Sequence, residues 1–261
     1  MAWLHVHYHS EVLRMPVSME VLLPQHVAGG WRSVNDPGPY PALYLLHGMS
    51  DDHTAWMRRT SIERYVEDKP ISVVMPAAHL SWYTDMAFGR EYFRFITEEL
   101  PAFCERMYPI SSAREDRFIA GLSMGGYGAM KAALNAPERY SAAASFSGEM
   151  DALKTYDRLP SQLSSDIFGS RERLEGGVND LFASASRLAA SDGPRPNLYM
   201  WCGTEDFLHE ENVRFQQHAK SLGLPLEYEE GPGGHSWQCW DTCIERTIPW
   251  LLQHLSVEGG K

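Results

Sequence analysis

Residues 117–128 read Arg-Phe-Ile-Ala-Gly-Leu-Ser-Met-Gly-Gly-Tyr-Gly. The apolar run Phe118 to Ala120 feeds directly into Gly121-Leu122-Ser123-Met124-Gly125, and a helix-forming stretch follows at once. Strand, sharp turn and helix in that order give the short G-x-S-x-G pattern the setting of a nucleophile elbow. The turn forces Ser123 into a strained backbone conformation, so small neighbours are needed on both sides. Its Oγ is then lifted clear of the backbone. The bare five-residue pattern also occurs in ordinary glycine-rich loops, so the reading depends on finding partners for the serine elsewhere in the chain.

The rest of the sequence alternates in the same way. Trp3 to His9 and Val17 to Leu22 alternate loosely and read as an opening antiparallel pair. Residues 24–41 hold four prolines and three glycines and read as a surface connection. Ala42 to Leu46 and Ile71 to Met75 are continuous apolar runs, as expected for strands covered on both faces. Phe88 to Tyr108 has helical spacing, with Pro101 causing a kink or starting a second helix. Further strands are expected at Arg117 to Gly121, Ala142 to Ser147, Leu198 to Cys202 and Leu226 to Glu229. Helices are expected at Ser123 to Asn135, closed by Pro137, and at Ile244 to Leu255. This pattern implies a single α/β domain over residues 1–261, built on a mostly parallel, doubly wound sheet with helices on both faces. Residues 148–193 break the alternation. Crossovers rarely need more than about 30 residues, so this polar stretch is read as a small cap insertion rather than a plain crossover.

Bulk properties exclude some functions. The formal net charge of −11 argues against nucleic acid and anionic membrane surfaces as partners, since both want clustered Lys and Arg. No run of about 18 apolar residues could span a bilayer. The N-terminal residues lack a basic segment followed by an apolar one, so no secretory signal is expected. Cys104, Cys202, Cys239 and Cys243 are scattered. The last two would lie one turn apart on a helix, without the second pair that a zinc site wants. All four are read as reduced and mostly buried, which fits the cytoplasm, and no metal site is expected.

A serine becomes nucleophilic at neutral pH through a base, and the base through an orienting acid. Of eleven histidines, His235 stands in Gly231-Pro232-Gly233-Gly234-His235-Ser236-Trp237, a glycine-rich loop after the last strand. The acid is sought one strand earlier, in Gly203-Thr204-Glu205-Asp206-Phe207-Leu208. Glu205 and Asp206 are both carboxylates; Asp206 is preferred, at the far side of the turn beside apolar neighbours. The order Ser123, Asp206, His235 is the chain order of α/β-hydrolases. An oxyanion hole would use the N–H of Met124, the residue after the nucleophile, and that of Met49, in the loop His47-Gly48-Met49 after a buried strand. Gly48 allows close approach of substrate, while His47 is expected to pack beneath the loop. Trp82, Tyr83 and Trp237 are candidate walls of a substrate pocket, with ordinary core packing as the competing reading.

Leu45-Leu46-His47-Gly48, Trp82-Tyr83-Thr84-Asp85-Met86, Gly121 to Ala129 and Gly234-His235-Ser236-Trp237 together resemble the esterase D-like α/β-hydrolases, nearest the bacterial tributyrin esterase branch. Relatives in that group include S-formylglutathione hydrolases, feruloyl and acetyl-xylan esterases and mycolyltransferases. The resemblance runs through nearly the whole chain and is weakest over 148–193. It implies an α/β-hydrolase fold with a central sheet of about eight strands. It also implies a cofactor-free serine carboxylesterase acting on small esters of short acyl chains, with Ser123, Asp206 and His235 as the triad and Met49 and Met124 as oxyanion donors. Assembly into dimers or tetramers is a further implication. Other readings stay open at this point: an esterase for acetylated or feruloylated oligosaccharides, a thioesterase of the S-formylglutathione type, an acyltransferase, or a hydrolase-fold binding protein without turnover.

Overall fold

A strand with apolar side chains on both faces is stable only where both faces are covered. Ala42–Leu46, Ser72–Pro76, Arg117–Leu122 and Ala142–Phe146 are buried at every residue. They form the middle of one eight-stranded sheet in a computed structural model that describes residues 1–25 and 38–255. In chain order the strands are β1 (Ala2–Ser10), β2 (Met15–Leu23), β3 (Ala42–Leu46), β4 (Ser72–Pro76), β5 (Arg117–Leu122), β6 (Ala142–Phe146), β7 (Asn197–Gly203) and β8 (Leu226–Gly231). In space they run β1-β2-β4-β3-β5-β6-β7-β8. The pairs β1/β2 and β2/β4 are antiparallel, and every other pair is parallel. Most of the surface connection expected at 24–41 lies outside the described residues.

Alternation along each strand splits the core into two layers. Ala42, Tyr44 and Leu46 of β3 join one apolar cluster, while Leu43 and Leu45 join the other. Helices α1 (Ala55–Arg59) and α2 (Ile62–Val66) cover the second face. On the first face α3 (Tyr92–Arg94) passes through a widened π-turn, Phe95–Glu99, into α4 (Leu100–Met107). This is the region read as helical from Phe88, with a kink or a second helix at Pro101. It starts later, at Tyr92, and Pro101 stands in the first turn of the second helix, after the widened turn. Leu100 N–H bonds to Phe95 O, five residues back. A proline has no N–H to give the carbonyl four residues back and crowds it, and a widened turn relieves that conflict.

α5 (Met124–Asn135) follows β5 with no intervening loop beyond Ser123. Between β6 and β7 lie four helices: α6 (Ala152–Arg158), α7 (Ser161–Phe168), α8 (Arg171–Leu174) and α9 (Leu181–Ala189). α6, α7 and α8 pack on one another, whereas α9 packs on α5 and on α10 (His209–Ser221). The segment 148–193 is thus divided between a helical cluster and a crossover helix. The closing helix α11 (Trp237–Gln253) begins seven residues before the expected Ile244. Trp240, Cys243, Ile244, Thr247, Ile248 and Leu251 give it one continuous buried stripe, which the aromatic-rich start of the segment obscures. Cys239 and Cys243 lie one turn apart on it, and all four cysteines are free. Among the described residues no helix is long and apolar enough to cross a membrane.

Candidate active site

Ser123 sits between β5 and α5 at φ 52° and ψ −120°. A non-glycine residue at positive φ costs on the order of 1–3 kcal/mol, so the surroundings must impose it. Main-chain bonds do so: Ser123 N–H donates to Phe146 O at 2.9 Å, and Tyr127 N–H donates to Ser123 O at 3.0 Å. Gly125 lets the turn press against the end of β3. A Cβ there would stand 2.5 Å from Leu46 O and 2.6 Å from His47 O.

The loops after β7 and β8 are joined in the same backbone-on-backbone manner. Thr204 N–H donates to Gly231 O at 2.9 Å and Glu205 N–H to Gly233 O at 3.1 Å. A Cβ on Gly203 would collide with Gly233 O. The two adjacent carboxylates divide their work. Glu205 accepts the Gly233 N–H and so splices the loops. Asp206 faces His235, whose Nδ1 lies 2.9 Å from Oδ2 and 3.1 Å from Oδ1. His235 Nε2 lies 3.0 Å from Ser123 Oγ. The structure therefore brings Ser123, His235 and Asp206 into one hydrogen-bonded chain.

The Asp206 carboxylate is shielded from solvent. Burial alone would push its pKa up, but hydrogen bonds from His235 and from Leu208 N–H outweigh it and hold the group below its ordinary 3.8. The charged acid therefore faces Nδ1, fixing that nitrogen as a donor and leaving Nε2 to accept from the serine. His47 is different. Burial pushes its pKa down to about 4. Its Nδ1 donates to Gly48 O at 2.7 Å, and its Nε2 accepts Ala78 N–H at 3.0 Å. Both nitrogens are occupied, so His47 braces the loop beneath Met49 as a neutral ring.

Ser123 opens into a cleft of about 570 Å³. Gly48, Met49 and Trp237 line it. Among the described residues neither Met49 N–H nor Met124 N–H donates to another protein group. Trp82 and Tyr83 are a correction. Both are fully buried and stand among the core residues rather than in the cleft wall. Tyr83 donates its hydroxyl to His47 O at 2.9 Å, which supports the Met49 loop from below.

Several wall residues went unread in the sequence. Phe207 is 65% exposed and its ring lies 4.7 Å from that of His235. Its place directly after Asp206 was the available signal. Trp240 packs edge-on to His235 at 4.8 Å and donates Nε1–H to Ser147 Oγ at 3.2 Å. The i, i+3 spacing of Trp237 and Trp240 would have revealed it, had the helix start been recognised. Glu149, Arg158, Leu159 and Pro160 reach the cleft from the α6–α7 side, and no local pattern marks them.

A mostly parallel eight-stranded sheet, with a serine on a strained strand-to-helix turn and its hydrogen-bonding partners on the last two strand loops, defines an α/β-hydrolase. The family model described as "Putative esterase" matches residues 10–251, and the chain belongs to that family. It is a carboxylic ester hydrolase of the serine type. It is 29% identical over 262 residues to an acetyl esterase of Caldicellulosiruptor saccharolyticus, covering 96% of this chain and 98% of the relative. Two solved Staphylococcus aureus structures are each 34% identical and each cover 96% of this chain and 98% of the other. The fluorophosphonate-binding serine hydrolase F, with substrate bound, superposes with a TM-score of 0.89. An S-formylglutathione hydrolase apoenzyme does so at 0.86.

Proposed function

We propose that Ser123 is the nucleophile, His235 the general base and acid, and Asp206 the orienting acid of an esterase for short acyl groups. Ser123 Oγ attacks the ester carbonyl while His235 Nε2 takes its proton. The negative charge that develops on the carbonyl oxygen is held by the N–H groups of Met49 and Met124, each worth about 2.7–4 kcal/mol of barrier lowering. His235 returns the proton to the departing alcohol, leaving an acyl group on Ser123. Water then attacks the acyl carbonyl while His235 takes its proton, and as the acyl–Oγ bond breaks His235 passes that proton to Ser123 Oγ and the acid leaves. Asp206 stabilises the imidazolium at both stages.

The observation that carries this reading is the unbroken chain Asp206–His235–Ser123 opening into a cleft beside two unengaged N–H groups. The names of the acetyl esterase and the S-formylglutathione hydrolase carry small acyl groups, so a small ester or thioester of a one- to four-carbon acid is the proposed substrate class. Gly48, Met49, Phe207 and Trp237 would surround it. The helices α6–α8 would act as a cap, because Arg158, Leu159 and Pro160 at the α6–α7 turn line the same cleft as Ser123. The test is a panel of p-nitrophenyl esters from acetate to octanoate beside S-formylglutathione, with peptide mapping of a fluorophosphonate adduct. The expected results are a kcat/KM that falls with chain length and an adduct on Ser123. Labelling at another residue would overturn the proposal.

A further inference from the structure

β1 is an edge strand that turns alternate residues outward, and three of them are histidines: His5, His7 and His9. Opposite His5 in the antiparallel register stands Glu20 of β2. Glu20 is only 2% exposed, which is unusual for a carboxylate. His5 Nδ1 lies 2.5 Å from its Oε1, and Trp3 Nε1–H donates to its Oε2 at 2.6 Å. A third group arrives from a remote part of the chain. His53, in the loop between β3 and α1, stacks on His5 with ring centroids 5.3 Å apart. Neither nitrogen of His53 is accessible to solvent, and among the described residues neither has a hydrogen-bond partner. A half-buried imidazole whose two nitrogens are shut off from water and unpaired, beside a second imidazole and a buried carboxylate, calls for an explanation.

We propose that His5, Glu20 and His53 form a binding site for a divalent ion of the zinc, cobalt or nickel type. One ligand atom from each residue lies within 4.8 Å of the other two. Metal–ligand bonds of about 2.0–2.2 Å hold such atoms roughly 3–4 Å apart, so on binding the 2.5 Å His5–Glu20 contact opens and the His53 ring draws in. Two imidazoles and one carboxylate suit these borderline ions, whereas magnesium and calcium want an all-oxygen shell. The Trp3 bond to the second oxygen of Glu20 is the kind of outer contact that orients a ligating carboxylate. His5 is exposed, which gives the ion a way in and leaves a coordination position to water. On binding, the ion replaces any proton held between His5 and Glu20, and that proton leaves to solvent. None of the three residues lines the Ser123 cleft, so the site is structural rather than catalytic. Its effect would be to tie the β1–β2 hairpin to the loop that carries Met49.

Titration of the untagged, metal-stripped protein with Co²⁺, followed by visible absorption and calorimetry, tests this. One Co²⁺ per chain is expected, with a d–d band and no thiolate charge-transfer band. Affinity should fall at least about tenfold in His53→Ala and in His5→Ala, and stay unchanged in Ser123→Ala and Cys239→Ser. Zn²⁺ should raise the Tm of the unaltered chain and not that of His53→Ala. Since His5 is exposed, His5→Ala keeps the test decisive even if His53→Ala folds poorly. Absence of binding below about 1 mM metal, or equal binding by the unaltered chain and both histidine variants, would overturn the proposal.

Discussion

The two sides of the Ser123 cleft are held in place by different physics. On the elbow side the positions are set by main chain packed against main chain. Ser123 is pinned between Phe146 O and Tyr127 N, Gly125 lies against the carbonyls of Leu46 and His47, and Gly203 lies against Gly233. On the α6–α7 side the positions are set by side-chain charge. Arg158 bonds to Glu149 at 2.8 Å and to Glu211 at 3.1 Å, and Arg214 bonds to Asp151 at 2.8 Å. Main-chain packing tolerates almost no substitution at its contact points. Ion pairs at a half-exposed rim can be exchanged for other contacts at small cost. In the proposed mechanism the chemistry is thus built on the stiff side and the shape of the substrate space on the adaptable side.

The largest effect should come from the stiff side. Ser123→Ala is expected to lower kcat by at least about 10⁴-fold and to abolish fluorophosphonate labelling. Its urea denaturation midpoint should stay near that of the unaltered chain. Asp206→Asn should cost about 10⁴-fold through the wrong histidine tautomer, and the double variant should lose little more than either alone. Clean additivity in the double variant would show that the two residues do not act as a unit.

Gly125→Ala separates packing from chemistry. The new methyl group meets two backbone carbonyls that cannot rotate away. The expected loss is about 1–3 kcal/mol of stability together with a lower kcat, since the elbow must shift. An unchanged denaturation midpoint would mean that the elbow is softer than its contacts imply. Arg158→Met addresses the other side. Removing one partner of a buried ion pair costs about 3–5 kcal/mol, but the Arg158 side chain is 38% exposed, so solvent screening reduces the expected loss to about 1–2 kcal/mol. KM for longer acyl esters should change more than kcat for acetate. A kcat collapse like that of Ser123→Ala would place Arg158 with the catalytic group instead of the cap.

The same contrast decides what was legible in the sequence. The elbow could be read because its backbone demands a fixed residue order around Ser123, and such demands leave a local pattern. Asp206 and His235 could be read because the topology fixes which strand ends reach the serine. Trp82 and Tyr83 were misplaced because a loop near the right sheet edge does not reveal which way its side chains turn, and both turn into the core. Arg158, Glu149 and Glu211 come from α6, the loop before it and α10, and their convergence is a property of packing alone. His5, Glu20 and His53 escaped for the same reason, since ligand spacing rules see only clusters that are local in the chain.

A final, smaller effect separates the two sides by sign. Burial pushes both Asp206 and Glu211 toward the protonated form, and their partners push back. For Asp206 the hydrogen bonds from His235 and Leu208 N–H prevail, and its pKa lies below the ordinary 3.8. For Glu211 burial prevails over Arg158 and the Asp151 N–H, and its pKa lies above the ordinary 4.5. A carboxyl held below its unfolded value stabilises the fold above that value and loses this contribution as pH falls through the folded pKa. A carboxyl held above its unfolded value contributes below that value and loses the contribution as pH rises through the folded pKa. The stability gap between the unaltered chain and Asp206→Asn should therefore shrink as pH drops from about 5 to 3, whereas the gap to Glu211→Gln should shrink as pH climbs from about 4 to 7. Each drift should amount to about 1.4 kcal/mol per unit of pKa displacement. Urea melts across that range, with unchanged m-values, would measure both. If both gaps drift in the same direction, the two carboxylates are governed by the same force, and the division between a stiff main-chain side and a charge-held side fails at the residues where it should be sharpest.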